Sequence, residues 1–177
     1  MPKRNVEEEV KQMQTATVKR LKEWNVMKSA DDYETPLALW KELTPSLHRS
    51  LTIYDPFYCN GRSKIYLEDL GYKVISNKED FNDACESGAV PEFDVLVTNP
   101  PFSKLEELLP KIVALRKKAI ILLPTAVLTK NWMLDLLQDA ECYAAEPAKS
   151  MGFIRDGVQM KKPEFHCTWL YLNHKIE

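Results

Sequence analysis

The run Ala119-Ile120-Ile121-Leu122-Leu123, unbroken by any polar residue and stopped by Pro124, limits what this chain can fold into more than any other segment. A strand with one wet face alternates apolar and polar residues; a strand without alternation is buried on both faces, as at the centre of a parallel sheet. Such a sheet needs helices on both sides, and the flanking sequence supplies them. Strands are predicted at Leu51 to Tyr54, Tyr72 to Ser76, Val95 to Thr98 and Phe165 to Leu172, with a weaker one at Cys142 to Ala145. Helices are predicted over Leu37 to Leu43, Gly61 to Leu70, Ser103 to Leu115 and Thr129 to Gln138. Thr35 is placed as the cap of the first helix, Pro36 in its opening turn, and Gly71 as the end of the second. The interval from Glu146 to Glu164 reads as loop with a short strand near Phe153-Ile154. The pattern is that of an α/β fold, with a mostly parallel sheet covered on both faces and an antiparallel C-terminal edge strand.

At 177 residues and 45% hydrophobic content the chain holds one core. Residues 29–177 are assigned to this domain. Residues 1–28 form an N-terminal helical extension, in which Val6, Val10, Met13, Thr17, Leu21 and Trp24 recur at helical spacing. That stripe must cover either the sheet of its own chain or a partner surface, in a homodimer or on another protein. Asp and Glu outnumber Lys and Arg by 26 to 24, which excludes a global positive field. Basic surface must be local, as at Lys19-Arg20-Leu21-Lys22, Arg116-Lys117-Lys118 and Lys161-Lys162. Cys59, Cys85, Cys142 and Cys167 contain no CxxC pair, which argues against a disulfide framework or a metal site and for reduced thiols in an intracellular protein. No apolar run reaches membrane-spanning length, so no membrane partner is expected.

Asn99-Pro100-Pro101-Phe102 follows the strand Val95 to Thr98 directly, at the strand end where open α/β sheets hold ligands. The Asn99 side-chain oxygen and the Pro100 carbonyl are two acceptors, which suit the two hydrogens of a planar amino group. The nitrogen of such a group, adenine N6 for example, is a poor nucleophile because its lone pair is delocalised into the ring. Two convergent acceptors favour the pyramidal geometry in which the lone pair is free to attack. Pro100 and Pro101 stiffen the turn that carries them, and Phe102 offers a ring to stack on a base.

A second motif, Asp55-Pro56-Phe57-Tyr58-Cys59-Asn60-Gly61, lies at another strand end. With both motifs, and with Tyr33-Glu34-Thr35-Pro36 ahead of them, the chain from about Tyr33 to Leu172 resembles the class I S-adenosylmethionine-dependent methyltransferases. Among these it resembles the amino-methyltransferases with a D/N-P-P-Y/F motif, especially N6-adenine-specific DNA/RNA methyltransferases. The resemblance implies a three-layer Rossmann-like fold, S-adenosyl-L-methionine as cofactor, and Asn99, Pro100, Pro101 and Phe102 as the catalytic set. It implies that Asp55, Pro56, Phe57, Asn60 and Gly61 hold the amino-acid and ribose portions of the cofactor, with Thr35 and Pro36 beside the methionine. Asp80 would accept from the cofactor's adenine amino group and Phe81 would cover the ring.

The chain departs from that family at three places. Cys59 stands where a glycine is usual, the ribose partner is either Asn77 or Glu79, and the customary third strand is absent or vestigial between Asn82 and Pro91. Substrate would enter above Asn99 to Phe102, bordered by Thr125 to Asn131 and Lys149 to Pro163, with Phe102 meeting the base and Lys161 and Lys162 the phosphates. The expected activity is methyl transfer to an exocyclic amine, foremost adenine N6 in DNA or RNA. The alternatives are protein glutamine N5, guanine N2, and a catalytically inactive methyltransferase-fold module for binding or assembly.

Overall fold

The computed structural model describes Thr15, Lys19, residues 31–149 and residues 152–174. The expected N-terminal stripe from Val6 to Trp24 and its suggested partner contact lie outside the described residues. Six strands form one sheet in the order β2-β1-β3-β4-β8-β5. The strands are β1 (Thr52–Tyr54), β2 (Lys73–Ile75), β3 (Val95–Thr98), β4 (Lys118–Pro124), β5 (Cys142–Ala145) and β8 (Cys167–Leu172). β6 (Ile154–Arg155) and β7 (Val158–Gln159) make a separate hairpin.

β2, β1, β3 and β4 run parallel, and β8 runs antiparallel to β4. The C-terminal strand thus closes the sheet in the expected direction, with the short β5 flanking it on the outside, also antiparallel. Every residue of β4 from Ala119 onward is buried, as its unbroken apolarity requires. Among the described residues five α-helices accompany these strands, α1 (Leu37–Glu42) ahead of β1 and α2 (Arg62–Asp69), α3 (Phe81–Ser87), α4 (Leu105–Ala114) and α5 (Asn131–Leu137) between strands. The crossover through α2 steps outward from β1 to β2, whereas those through α3 and α4 step the other way. Right-handed crossovers in opposite directions lie on opposite faces, which gives the three layers of a Rossmann-like fold.

No strand forms between Asn82 and Pro91; α3 and an irregular segment occupy that stretch. Gly61 and Gly71 bracket α2 with φ of 78° and 92°, values that any side chain would resist. Along α2, Ile65 is 54% exposed and Leu67 is fully buried. Among the described residues, no helix is long and apolar enough to cross a membrane.

Candidate active site

The strand order reverses between β1 and β3. β1 continues to β2 on one side while the chain returns to place β3 on the other, so their carboxyl ends diverge and open a crevice. A cavity of about 430 Å³ lies there, within the size range of small-ligand sites. Its wall contains Asn99, Pro100, Pro101 and Phe102 from the end of β3 and Asp55, Pro56, Phe57 and Asn60 from the end of β1. Thr35, Asn77, Glu79, Asp80 and Phe81 of the expected set also line it.

Asp55 ties the two strand ends together. It is 1% exposed; Thr98 Oγ1 donates to its Oδ1 at 2.6 Å, Ser63 Oγ to its Oδ2 at 2.6 Å, and the Phe57 N–H to Oδ1 at 3.3 Å. Burial pushes its carboxyl up to about 6, and these three donors hold the shift back. The residue before Asn99 is therefore locked to the Asp55 turn by a buried side-chain bond.

The segment ahead of α1 closes over the Asn99 turn through two contacts. Asp31 accepts from the Ser103 backbone N–H at 3.0 Å and from the Ser103 hydroxyl, and Asn99 Nδ2 donates to Thr35 Oγ1 at 2.9 Å. The expected capping role of Thr35 is thereby corrected. Pro36 holds the cap position without a side-chain bond, and the Thr35 hydroxyl turns to a partner 64 residues away. With its amide nitrogen engaged, Asn99 keeps Oδ1 buried and without a protein partner. Trp40 Nε1 is likewise buried and unpartnered, and Trp40 belongs to the same wall.

Glu34 supports the floor: its carboxylate accepts from Asn60 Nδ2 at 3.0 Å and Tyr66 Oη at 2.8 Å and lies 3.6 Å from Arg62. Tyr58 to Gly61 form a tight turn, with the Gly61 N–H donating to the Tyr58 carbonyl at 2.7 Å. A Cβ on Gly61 would come within 2.7 Å of Tyr58 Oη, the movable end of a side chain, so it is the φ of 78° that calls for glycine here. Cys59, the departure from the usual glycine, takes a left-handed φ of 47°, the conformation that glycine adopts without cost.

Several expected contacts take another form. Pro36 and Gly61 do not line the cavity; they shape the segments that do. Asp80 lines it, but its Oδ1 caps α3 by accepting from the N–H groups of Asn82 and Asp83. Phe81 is 2% exposed and meets Phe57 edge-on at 5.5 Å. Phe102, expected as a stacking ring, is 4% exposed and held edge-on against Phe165 and Phe153. Lys161 and Lys162 are exposed and outside the cavity, and Thr125 to Asn131 also lie outside it. Sequence reasoning missed Asp31, Glu34, Trp40 and Ser63 as wall residues; only Glu34 carried a signal, through its place beside Thr35-Pro36.

Five carboxylates (Asp31, Glu34, Asp55, Glu79, Asp80) face two lysines (Lys78, Lys104) around the cavity. That balance favours a cationic ligand. The fold is Rossmann-like, with an acidic crevice at the point where the strand order reverses. A family model described as "Adenine-specific methyltransferase EcoRI" matches residues 40–164, and the chain belongs to that family. Membership makes S-adenosyl-L-methionine the methyl donor.

No curated protein matches the sequence. Similar solved structures include precorrin-6y C5,15-methyltransferase from Geobacter metallireducens GS-15, with TM-score 0.44, 11% identity, and coverage of 71% of this chain and 82% of that one. Precorrin 8W decarboxylase from Methanobacterium thermoautotrophicum gives TM-score 0.45 and 15% identity over 70% and 82% of the two chains. A SAM-dependent methyltransferase from Agrobacterium tumefaciens gives TM-score 0.43 and 11% identity over 87% and 61%.

Proposed function

We propose that this methyltransferase acts on an exocyclic amine, adenine N6 in DNA or RNA, with Asn99 as the residue that orients the nitrogen. One observation carries the reading. Asn99 sits on the wall of a cavity continuous with the Asp55 turn, its amide nitrogen fixed by Thr35 and its Oδ1 left without a partner. An oxygen in that state is a ready acceptor for an N–H group, because burying it unpaired costs roughly 1–3 kcal/mol that a donor recovers.

Oδ1 is covered in this conformation, so the amine reaches it as the side chain turns toward the cavity. Oδ1 and the Pro100 carbonyl then accept hydrogen bonds from the two amine N–H groups. This draws the nitrogen out of conjugation and leaves its lone pair facing the Asp55 side. The proton in surplus after methyl transfer is released to solvent. When bound, S-adenosyl-L-methionine supplies an electrophilic methyl group on a positively charged sulfur. Asp55, Glu34 and the Tyr58–Gly61 turn would hold that cofactor, with Asn77 or Glu79 at its ribose and Asp80 and Phe81 near its adenine. Phe102 and the two prolines keep the turn rigid, and Lys161 and Lys162 would meet phosphates. Family membership supports adenine as the base.

The test is incubation with radiolabelled S-adenosylmethionine against DNA, RNA and protein pools, followed by identification of the methylated atom. Label on adenine N6 is the expected result. Label on glutamine N5 or guanine N2, or cofactor binding without transfer to any acceptor, would overturn the adenine reading.

A further inference from the structure

A ring on which an acceptor base can stack is the one expected part that the Asn99 turn does not supply. Phe102 meets Phe165 and Phe153 edge-on at centroid distances of 5.6 and 6.4 Å. Those two rings are themselves held. They stack on each other at 5.6 Å, and Ile154, next to Phe153, exchanges two backbone bonds with Glu34 at 2.8 and 2.9 Å. Phe102 therefore stiffens the turn and offers no open face to a ligand.

Beyond the same turn lies a second cavity, of about 230 Å³, which none of the chemistry above uses. Phe102 and Lys104 belong to the walls of both cavities, so a single turn of chain separates the two. The far wall comes from Val127, in the segment between β4 and α5, and from Trp132 on α5. Trp132 is the aromatic side chain of this cavity besides Phe102. It is partly buried against the core, and its indole N–H has no hydrogen-bond partner. Lys104, on the boundary, is exposed and makes no ion pair among the described residues. Glu106 and Glu107, from the first turn of α4, line the cavity with carboxylates, which accept hydrogen bonds and donate none. A nucleotide answers all three features, with a π-face for the indole, base N–H groups for the carboxylates and a phosphate for the ammonium. An aliphatic ligand would leave the charges unmatched, and a free phosphate would leave the indole unused while facing two carboxylates.

We infer that the second cavity is the subsite for the nucleotide next to the methylated adenine, its base stacked on Trp132 and the phosphate that joins the two held by Lys104. The inference rests on the adenine reading and adds to it the residue that takes the neighbouring base. Methyl transfer is followed on an oligonucleotide built around the adenine that the pool assay labels, and on two copies made abasic at its 5′ or its 3′ neighbour. One abasic copy should lose about tenfold in kcat/KM, through KM, as expected for one lost base stack. Trp132→Ala should lose the same factor on the intact oligonucleotide and nothing further on that abasic copy. Trp132→Phe, which keeps a ring, should restore most of the loss, and both Trp132 variants should bind S-adenosylmethionine as the wild type does. Lys104→Ala, at an exposed position, should weaken binding of all three oligonucleotides and make the salt slope shallower by about 1. An equal abasic penalty in the wild type and in Trp132→Ala, or a wild type indifferent to both abasic copies, would overturn the subsite and leave the adenine reading standing. If Trp132→Ala fails to fold, the wild-type abasic series and Lys104→Ala decide, and an unchanged salt slope in the latter counts against the subsite. Label on protein alone in the pool assay would overturn both.

Discussion

The cavity wall and the hairpin beside it are opposite in every physical respect. The wall is concave, acidic and tied together by long-range side-chain bonds, from Asp55 to Thr98 and from Asn99 to Thr35. The hairpin protrudes and is held mainly at its root, in a segment from Lys149 to Glu164 where four exposed cations stand against two carboxylates. A cationic cofactor and a polyanionic substrate cannot share one electrostatic environment, because a field that draws one repels the other. Dividing the charges between a recessed acidic wall and the exposed segment beside it gives a chain of nearly balanced composition two distinct local fields. An overall charge count, 26 acidic against 24 basic residues, hides this division.

The comparison can be broken first at Asn99. Asn99→Ala should lower turnover by roughly 10²–10³-fold, the usual loss for an oriented polar group at a reacting centre, while calorimetric cofactor affinity changes little. Equal loss of both would make Asn99 a structural residue of the wall.

Asp55 gives the next largest effect, and its sign differs between stability and binding. Its folded-state carboxyl is raised to about 6 from an unfolded value of 3.8, so the fold favours the protonated form. That contribution is fully present below 3.8 and is lost as pH rises to about 6, amounting to about 3 kcal/mol. Asp55→Asn should therefore flatten the pH dependence of the denaturation free energy over that window and raise stability at pH 7. Cofactor binding should move the other way, strengthening in the wild type as pH rises through about 6 and weakening in the variant. A variant that loses stability at neutral pH would show that the bonds to Thr98 and Ser63 outweigh the buried charge.

Salt sharpens the contrast between the two regions. Polynucleotide affinity should fall steeply with ionic strength, by about 0.9 in the logarithmic slope per phosphate held, whereas cofactor affinity inside the cavity should vary only slightly. Parallel salt dependences would place both ligands in one electrostatic environment. The smallest effect is expected at Cys59. Cys59→Gly removes a side chain from a left-handed position and should stabilise the fold by up to about 1 kcal/mol in denaturant titration, with cofactor affinity equal or better. Weaker binding would give the Cys59 side chain a role of its own.

Strands were legible wherever apolar residues ran together, as in Ala119 to Leu123 and Val95 to Thr98, because burial on both faces leaves no room for a polar residue. Asn99 and Asp55 were legible as candidates because both follow strands that point to the same sheet edge. Thr35 was misjudged: a threonine before a proline and a helix suggests a local cap, and its true partner, Asn99, is remote in sequence. Phe102 was misjudged for a related reason, since the rings that enclose it, Phe153 and Phe165, lie far along the chain in a stretch rich in turn residues. The Asp156-Gly157 pair does carry a sequence signal for a two-residue hairpin turn. The docking of that hairpin onto Glu34 carries none.

The sequence by itself determined the layers, the parallel centre of the sheet and the two strand ends where chemistry could occur, because periodicity and chain direction are local properties of the backbone. Only the tertiary structure decided which atoms are left free. The Asn99 oxygen is unpartnered because Thr35 takes the amide nitrogen, and the Asp55 carboxyl is raised because three layers of protein exclude water from it. Both depend on the distance between residues far apart in the chain, which local pattern does not encode.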